Sequence, residues 1–307
     1  MNAKTEGQKS FLHKFLRSDN MAGYVFAAPF IIGFLGFTIV PMIVSLYYSF
    51  TNYSMASSNT DWIGISNYAR LFQDSRFINS LRVTLYYVFV SVPLKLIFAL
   101  FIAYMLTKKA KGVTFYRALY YLPSLIGGSI SVALIWKELF SSRGLINHLL
   151  VSAGFESISW FGDQRMAMFP IILMSVWQFG SSMIIFAAGL KQIPDTYYEA
   201  ASLDGANKWQ IFSKITIPCL SPIILYNLIM QTIAAFMSFT QVFVITGGGP
   251  NDSTNLYSMY MYTQAFRFHD MGYASAMSWF MLVVMSFITF LIFKSSKHWV
   301  FSEAGED

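Results

Sequence analysis

Apolar residues fall along this chain in long unbroken runs, with neither the alternation of a half-buried strand nor the narrow stripe of a surface helix. Six runs stand out, at 24–50, 83–106, 118–136, 167–190, 223–245 and 273–293. Each is close to or above the ~20 residues that a helix needs to cross a bilayer, and no Asp or Glu falls inside any of them. The fold class expected is an all-α polytopic membrane protein with six transmembrane helices. Residues 1–22 form a polar arm before this body, 23–293 the body itself, and 294–307 a tail. The first run is long and starts well into the chain, so it is expected to remain as span one and not to be cleaved as a secretory signal.

The side on which the connections lie follows from their cations. Lys4, Lys9, Lys14, Arg17, Lys108, Lys109, Lys111, Arg117, Lys191, Lys208, Lys214, Lys294 and Lys297 fall on one side of a six-span topology. Arg70, Arg76, Arg82, Lys137, Arg143, Arg165 and Arg267 fall on the other, and Lys95 lies within the second run. The richer side is the cytoplasmic one, which puts both termini in the cytoplasm. A net charge of +6 is then a topology signal and no nucleic-acid surface. In the arm, Phe11, Leu12, Phe15 and Leu16 share a helical face among Lys9, Lys14 and Arg17. That pattern suits a helix lying in the headgroup region, the other reading being a basic tail. Trp62, Tyr68, Tyr86, Tyr87, Tyr120, Tyr121, Trp136 and Trp299 cluster near the expected span ends, where amphipathic rings sit.

Composition removes several function classes. Only 12% of the 307 residues are charged and 55% are hydrophobic, against about a quarter charged in soluble domains. The single Cys219 rules out a disulfide framework or a thiolate cage. His13, His148, His269 and His298 are scattered, and no cluster has metal-ligand or catalytic spacing, so neither a catalytic nor a metal site is assigned. Thr246, Gly247, Gly248, Gly249 and Pro250 lack the Gly-Lys-Ser/Thr ending of a phosphate-binding loop and read as a tight turn. The absence of an intramembrane carboxylate counts against a secondary carrier driven by protons or sodium. Lys95, two residues after Pro93, is the one ionisable residue inside a run. Two roles stand side by side for it: facing a cavity, or holding structure through carbonyls freed by Pro93 or through a partner subunit.

The segment 191–218 is the most informative stretch. Pro194 ends span four, Asp195 caps a short helix reaching Leu203, Gly205 permits a turn, and a second helix carries Trp209 and Phe212 on one face until Pro218 closes it. Ala200, Ala201 and Ser202 leave a bare face for close approach. Glu199, Ala200 and Ala201 followed by Gly205 and by Ile217 and Pro218 resemble the EAA loop of permease subunits in bacterial binding-protein-dependent ABC importers. Further elements resemble the carbohydrate-uptake branch, in particular the larger permease of the maltose transporter. These are Ile63-Gly64 with Asn67-Tyr68, then Asp74, Arg76 and Phe77, Leu122-Pro123, Gly144 to Asn147, and the glycines before Pro250. That permease's additional N-terminal spans and large periplasmic insertion are lacking here.

The resemblance implies the type I ABC importer architecture and a division of labour in the cytoplasmic membrane. A second permease subunit, two ATPase subunits and an extracytoplasmic solute-binding protein are the expected partners, with a carbohydrate as substrate. ATP and Mg would be used by the ATPase subunits, and this chain would bind no cofactor. Carried over residue by residue, Glu199 anchors the ATPase contact, Ala200 and Ala201 pack closely, Gly205 makes the turn, and Asp204 and Pro218 complete the coupling set.

A sugar needs rings against its apolar faces and amides or hydroxyls for its own hydroxyls, and transporters commonly hold substrate at the midplane. Span four offers Trp177, Gln178 and Ser181, span five Phe236, Ser238 and Gln241, and span three Ser124 and Gly128. The alternative is that these polar groups only join helices. Gly127, Gly128, Ser129 and Ser131 also suit contact with a second subunit. A permease for a non-sugar solute, and more remotely a self-sufficient carrier, are the competing functions.

Overall fold

The computed structural model describes residues 19–57, 59–107 and 112–301. The apolar face expected in the arm and the cations Lys108, Lys109 and Lys111 lie outside the described residues. Among those described, the chain is helical, with only isolated bridges such as Thr51 to Trp62 and Ser54 to Asp270.

The organising element is α4 (Ser75–Thr107), a 33-residue helix that begins eight residues before the expected span. Its buried residues Ser80, Thr84, Val88, Ser91, Ala99 and Ala103 recur at helical spacing, and this small-residue stripe lets neighbouring backbones come close. Packed around it are α8 (Met168–Trp177), α9 (Gly180–Leu190), α12 (Ile217–Phe236) and the short α14 (Tyr257–Tyr262). α15 (Met271–Ser296) closes the bundle against α2 (Val40–Ser49) and α3 (Ser66–Gln73). Phe77 sits at one end of the core, edge-on to Tyr257 at 5.5 Å and to Phe280 at 5.3 Å. α4 extends the second apolar run backwards, so Tyr86 and Tyr87 stand inside the helix near the start of the run 83–106, and Tyr87 is buried.

The first span is α1 (Asp19–Phe34) joined to α2 by a π-helical turn, Leu35–Ile39. Its most apolar stretch contains no buried residue, and its contact with the rest of the chain comes from α2 against α15. A second π turn, Phe212–Thr216, joins α11 (Lys208–Ile211) to α12. In both cases the wide turn ends beside a proline, Pro41 or Pro218. A proline ring collides with the carbonyl four residues back, and a one-residue widening relieves the collision. Pro218 therefore does not close the helix that precedes span five. The chain stays helical from Lys208 through the wide turn to Phe236.

The third run also departs from a continuous span. α5 (Val113–Ile126) and α6 (Ile130–Leu139) meet at 100°. Pro123 and the pair Gly127-Gly128 weaken the helix at that point, and the Ser129 side chain accepts from the Val132 N–H to start the new helix. α6 then folds over α8 and α13 (Thr240–Ile245), with Trp136 Nε1 donating to Pro170 O at 2.8 Å and Ala133, Met174 and Ile245 packed together. Milder breaks interrupt the fourth run between Trp177 and Gly180, with a bend of 41°, and the fifth between Phe236 and Thr240.

Candidate functional site

The breaks in the fourth and fifth runs meet at one place. A helix that stops inside a membrane leaves backbone groups without helical partners, and such breaks persist only where protein or a polar cavity satisfies them. A polar cavity of about 270 Å³ lies there. From the α8 to α9 break it receives Gln178 and Ser175, and from the α12 to α13 break Ser238, Phe239, Thr240 and Gln241. α12 adds Gln231, and α4 adds Tyr87 and Lys95. Lys95 stands near the middle of the apolar run 83–106 that α4 carries, the stretch long enough to cross a ~30 Å hydrocarbon core.

Four residues singled out in the sequence thus come together: Lys95, Gln178, Ser238 and Gln241. Ser238 Oγ and Gln241 Oε1 are 3.4 Å apart, and Gln178 Nε2 donates to Gly127 O at 3.2 Å. Of the expected small-residue set on span three, Gly127 is taken up inside the chain, since a Cβ there would stand 2.4 Å from the Gln178 side chain.

The remaining sugar candidates lie elsewhere. Ser124 ties the α8 to α9 break to α5, its Oγ donating to Gln178 O at 3.0 Å and accepting from Ser181 N at 3.1 Å. Trp177 packs on Trp136 at 5.5 Å. Phe236 is buried and faces a separate apolar groove between α12, α14 and α15. Gly128 is exposed, with open space around it. Sequence reasoning passed over Gln231, Tyr87, Ser175 and Thr240. Gln231 carried the same signal as Gln178, an amide within an apolar run, but has no aromatic residue at the spacing required.

A second candidate surface is the helix-turn-helix at the C-terminal end of α4. α10 (Asp195–Leu203) starts after Ile193, which is buried, and after Pro194, which sits at the N-cap. Asp195 makes no capping bond and favours the helix only through its charge in the first turn. Asp204 N, Gly205 N and Ala206 N bond back to Ala200 O, Ser202 O and Ala201 O. Gly205 has φ +78° with open space around it, so the need for glycine there is conformational and not steric. Asn207 and Gln210 form a reciprocal capping box that starts α11. The unit is moored by Tyr198 OH to Thr216 Oγ1 at 3.3 Å and by Phe212 edge-on to Tyr104 at 5.1 Å. Its other apolar groups are left out of the core: Leu203 is 89% exposed and Trp209 72%. Glu199 and Ala200 are exposed beside them.

The opposite end of α4 carries a dense polar clasp. Asp74 Oδ2 accepts from Tyr260 OH at 2.5 Å and Tyr273 OH at 2.8 Å. Arg76 pairs with Asp252 through two bonds of 2.9 Å, and Arg70 pairs with Asp270 at 2.6 Å while stacking on the Tyr273 ring. Burial pushes the Asp74 carboxyl up, yet the two tyrosine hydroxyls and the N–H groups of Phe77 and Arg76 outweigh it and hold the group below the usual carboxylate value. The turn at Gly247 and Gly248, both at positive φ, brings Asp252 to this clasp.

The chain is similar to known proteins in sequence and in fold. Residues 62–300 match the family described as binding-protein-dependent transport system inner membrane component. The probable ABC transporter permease protein YesP of Bacillus subtilis is 52% identical over 95% of this chain and 96% of its own. The multiple sugar-binding transport system permease protein MsmF of Streptococcus mutans is 34% identical over 85% of this chain and 90% of its own. A chain from the crystal structure of a bacterial ABC transporter involved in the import of the acidic polysaccharide alginate superposes with a TM-score of 0.79 at 26% identity, over 93% of this chain and 98% of that one. A six-run helical bundle with an exposed EAA-type loop and a match of this extent are decisive together: the chain belongs to the inner membrane components of binding-protein-dependent transport systems, as a multi-pass permease subunit of an ABC importer.

Proposed function

We propose that this subunit, with a second permease subunit, forms the path by which a sugar or oligosaccharide crosses the bacterial cytoplasmic membrane. An extracytoplasmic binding protein delivers the solute, and two separate ATPase subunits supply the energy with ATP and Mg. The observation that carries this reading is the polar cavity at paired helix breaks, where amides and hydroxyls from inside apolar runs surround one space. Gln178, Ser238 and Gln241 are the groups assigned to the sugar hydroxyls, with Tyr87 and Phe239 available as ring faces. The multiple sugar-binding relative supports a carbohydrate as the cargo.

Both termini and the α10 to α11 loop lie in the cytoplasm in this reading, in keeping with the cation distribution. Glu199 pairs with a cation of the ATPase, Ala200 and Ala201 allow close approach, and Leu203 and Trp209 fill its cleft. Asp204, Gly205 and Pro218 shape the loop. Closure of the ATPases on ATP pulls α10, and through Tyr198, Phe212 and the unbroken helix into α12 the pull reaches the cavity as a rigid-body motion.

The test is uptake and substrate-stimulated ATP hydrolysis by the complete importer carrying Gln178→Leu or Gln241→Leu. Both activities are expected to fall with assembly intact. Unchanged uptake kinetics in both variants would remove the sugar site from this cavity.

A further inference from the structure

Lys95 is not explained by a neutral sugar. Lys95 lines the cavity from the middle of an apolar run, where an uncompensated charge is costly. The carbonyl that Pro93 frees is that of Phe89, six residues before Lys95, and no hydrogen bond or ion pair of Lys95 is found among the described residues. No Asp or Glu lines the cavity, and Gln178, Gln231, Gln241 and Ser238 are neutral. A neutral sugar entering this space would strip water from the ammonium and give it nothing of opposite charge, which is a penalty against such a solute.

We propose that Lys95 is a carboxylate-recognition residue, and that the solute carried is an acidic sugar presenting one uronate carboxyl to it. The inference rests on the reading of this cavity as the sugar site and names the class of sugar. One ammonium balances one carboxylate, and the amides around it are left to the ring hydroxyls. A phosphorylated sugar fits less well, because its near-double charge exceeds what a single lysine offers and no arginine lines the cavity to grip it.

The experiment uses the complete importer in proteoliposomes, with its binding protein. It is offered a pool of short oligosaccharides at equal concentration: neutral, uronic, uronic with the carboxyl methyl-esterified, and sulfated. Accumulated species are read by mass spectrometry. The wild type should accumulate the free uronides and discriminate against their methyl esters. Lys95→Met should lower uronide uptake about tenfold or more, the scale of a lost charge-assisted hydrogen bond, and Lys95→Arg should retain most of it, both with normal assembly on gel filtration. Accumulation of neutral or sulfated species alone, equal uptake of free and esterified uronides, or uronide uptake unmoved in Lys95→Met would each overturn the proposal. So would loss of assembly in Lys95→Met rescued by arginine, which would assign Lys95 to a carboxylate of the second permease subunit. If no saccharide of any kind accumulates, the sugar-importer reading itself fails, and this inference with it.

Discussion

The two ends of α4 solve opposite problems. At its N-terminal end Asp74, Arg76, Asp252, Tyr260, Asp270, Arg70 and Tyr273 pair with one another within a single chain, with Arg70 and Arg76 half-exposed. At its C-terminal end the turn between α10 and α11 is closed by backbone bonds and the Asn207–Gln210 capping box, while Leu203, Trp209 and Glu199 point away from the bundle. A loop kept only for connection would gain by turning a leucine and a tryptophan inward, since each is worth ~1.5–3 kcal/mol when buried. Their exposure on a frame with a closed turn and a capping box is what a docking element requires. The clasp by contrast ties α4, α14 and α15 to one another through Asp74, Tyr260 and Tyr273.

The largest effect should come from the docking end. In the docking proposed above, Glu199→Ala would remove one member of an ion pair with the ATPase, with an expected loss of about 2–5 kcal/mol in binding. Pull-down of the ATPase and uptake should both fall while membrane insertion stays normal, and wild-type values for both would end the assignment. Gly205→Val should act alike through backbone strain at φ +78°.

Next, Leu203→Asp should weaken ATPase recruitment by about 1.5–3 kcal/mol. The melting temperature of the isolated subunit in detergent should not move, because the side chain is 89% exposed there. A drop in melting temperature would mean that Leu203 belongs to the fold.

Turning to the clasp, Asp74→Asn should reverse that pattern, costing about 1–3 kcal/mol of subunit stability through weakened tyrosine hydrogen bonds and sparing ATPase binding. Its pH dependence follows from the sign of the shift. The folded carboxyl lies below its ordinary value of 3.8, so its contribution is complete above that value and is lost as pH falls through the folded pKa. Wild-type melting should therefore be insensitive to Asp74 between about pH 5 and 8 and decline only in stronger acid. A decline near pH 6 that Asp74→Asn abolishes would contradict it. The smallest effect is expected for Arg76→Ala, under about 1 kcal/mol, because its ion pair with Asp252 is half-exposed and screened.

Much of the molecule was legible because a bilayer imposes simple constraints. Runs of about 20 apolar residues must become helices there, and Gly205, Asn207 and Gln210 carry their turn and cap chemistry locally. The helix over Asp195–Leu203 needed nothing beyond Pro194 before it and Gly205 after it. The breaks were hidden, because an apolar run reads alike whether straight or folded back. Pro123 with Gly127-Gly128 hinted at the 100° bend, yet Pro93 and Pro222 lie inside helices that continue. Whether a proline kinks, widens or ends a helix depends on what packs against the freed carbonyl, and that is a fact about neighbours.

Asn67 and Asn147 make the same point. Both belong to the motifs that carry the family resemblance, and both turned out to tie loops: Asn67 to Ser49 O and Thr51 O, Asn147 to both backbone groups that Ile158 presents to it. Spacing along the chain cannot distinguish an amide that holds a loop from one that lines a cavity.

By itself the sequence determined the membrane class, the approximate spans, the cation asymmetry and the coupling loop, because each follows from composition or from contacts within about ten residues. Only the tertiary structure decided which polar residues share a space. Lys95, Gln178 and Gln241 lie on three different spans, and their meeting depends on two helix breaks brought side by side across α4. Long-range packing of that kind has no local signature, so the same amides that read as helix glue along the chain became the walls of a cavity around a single ammonium.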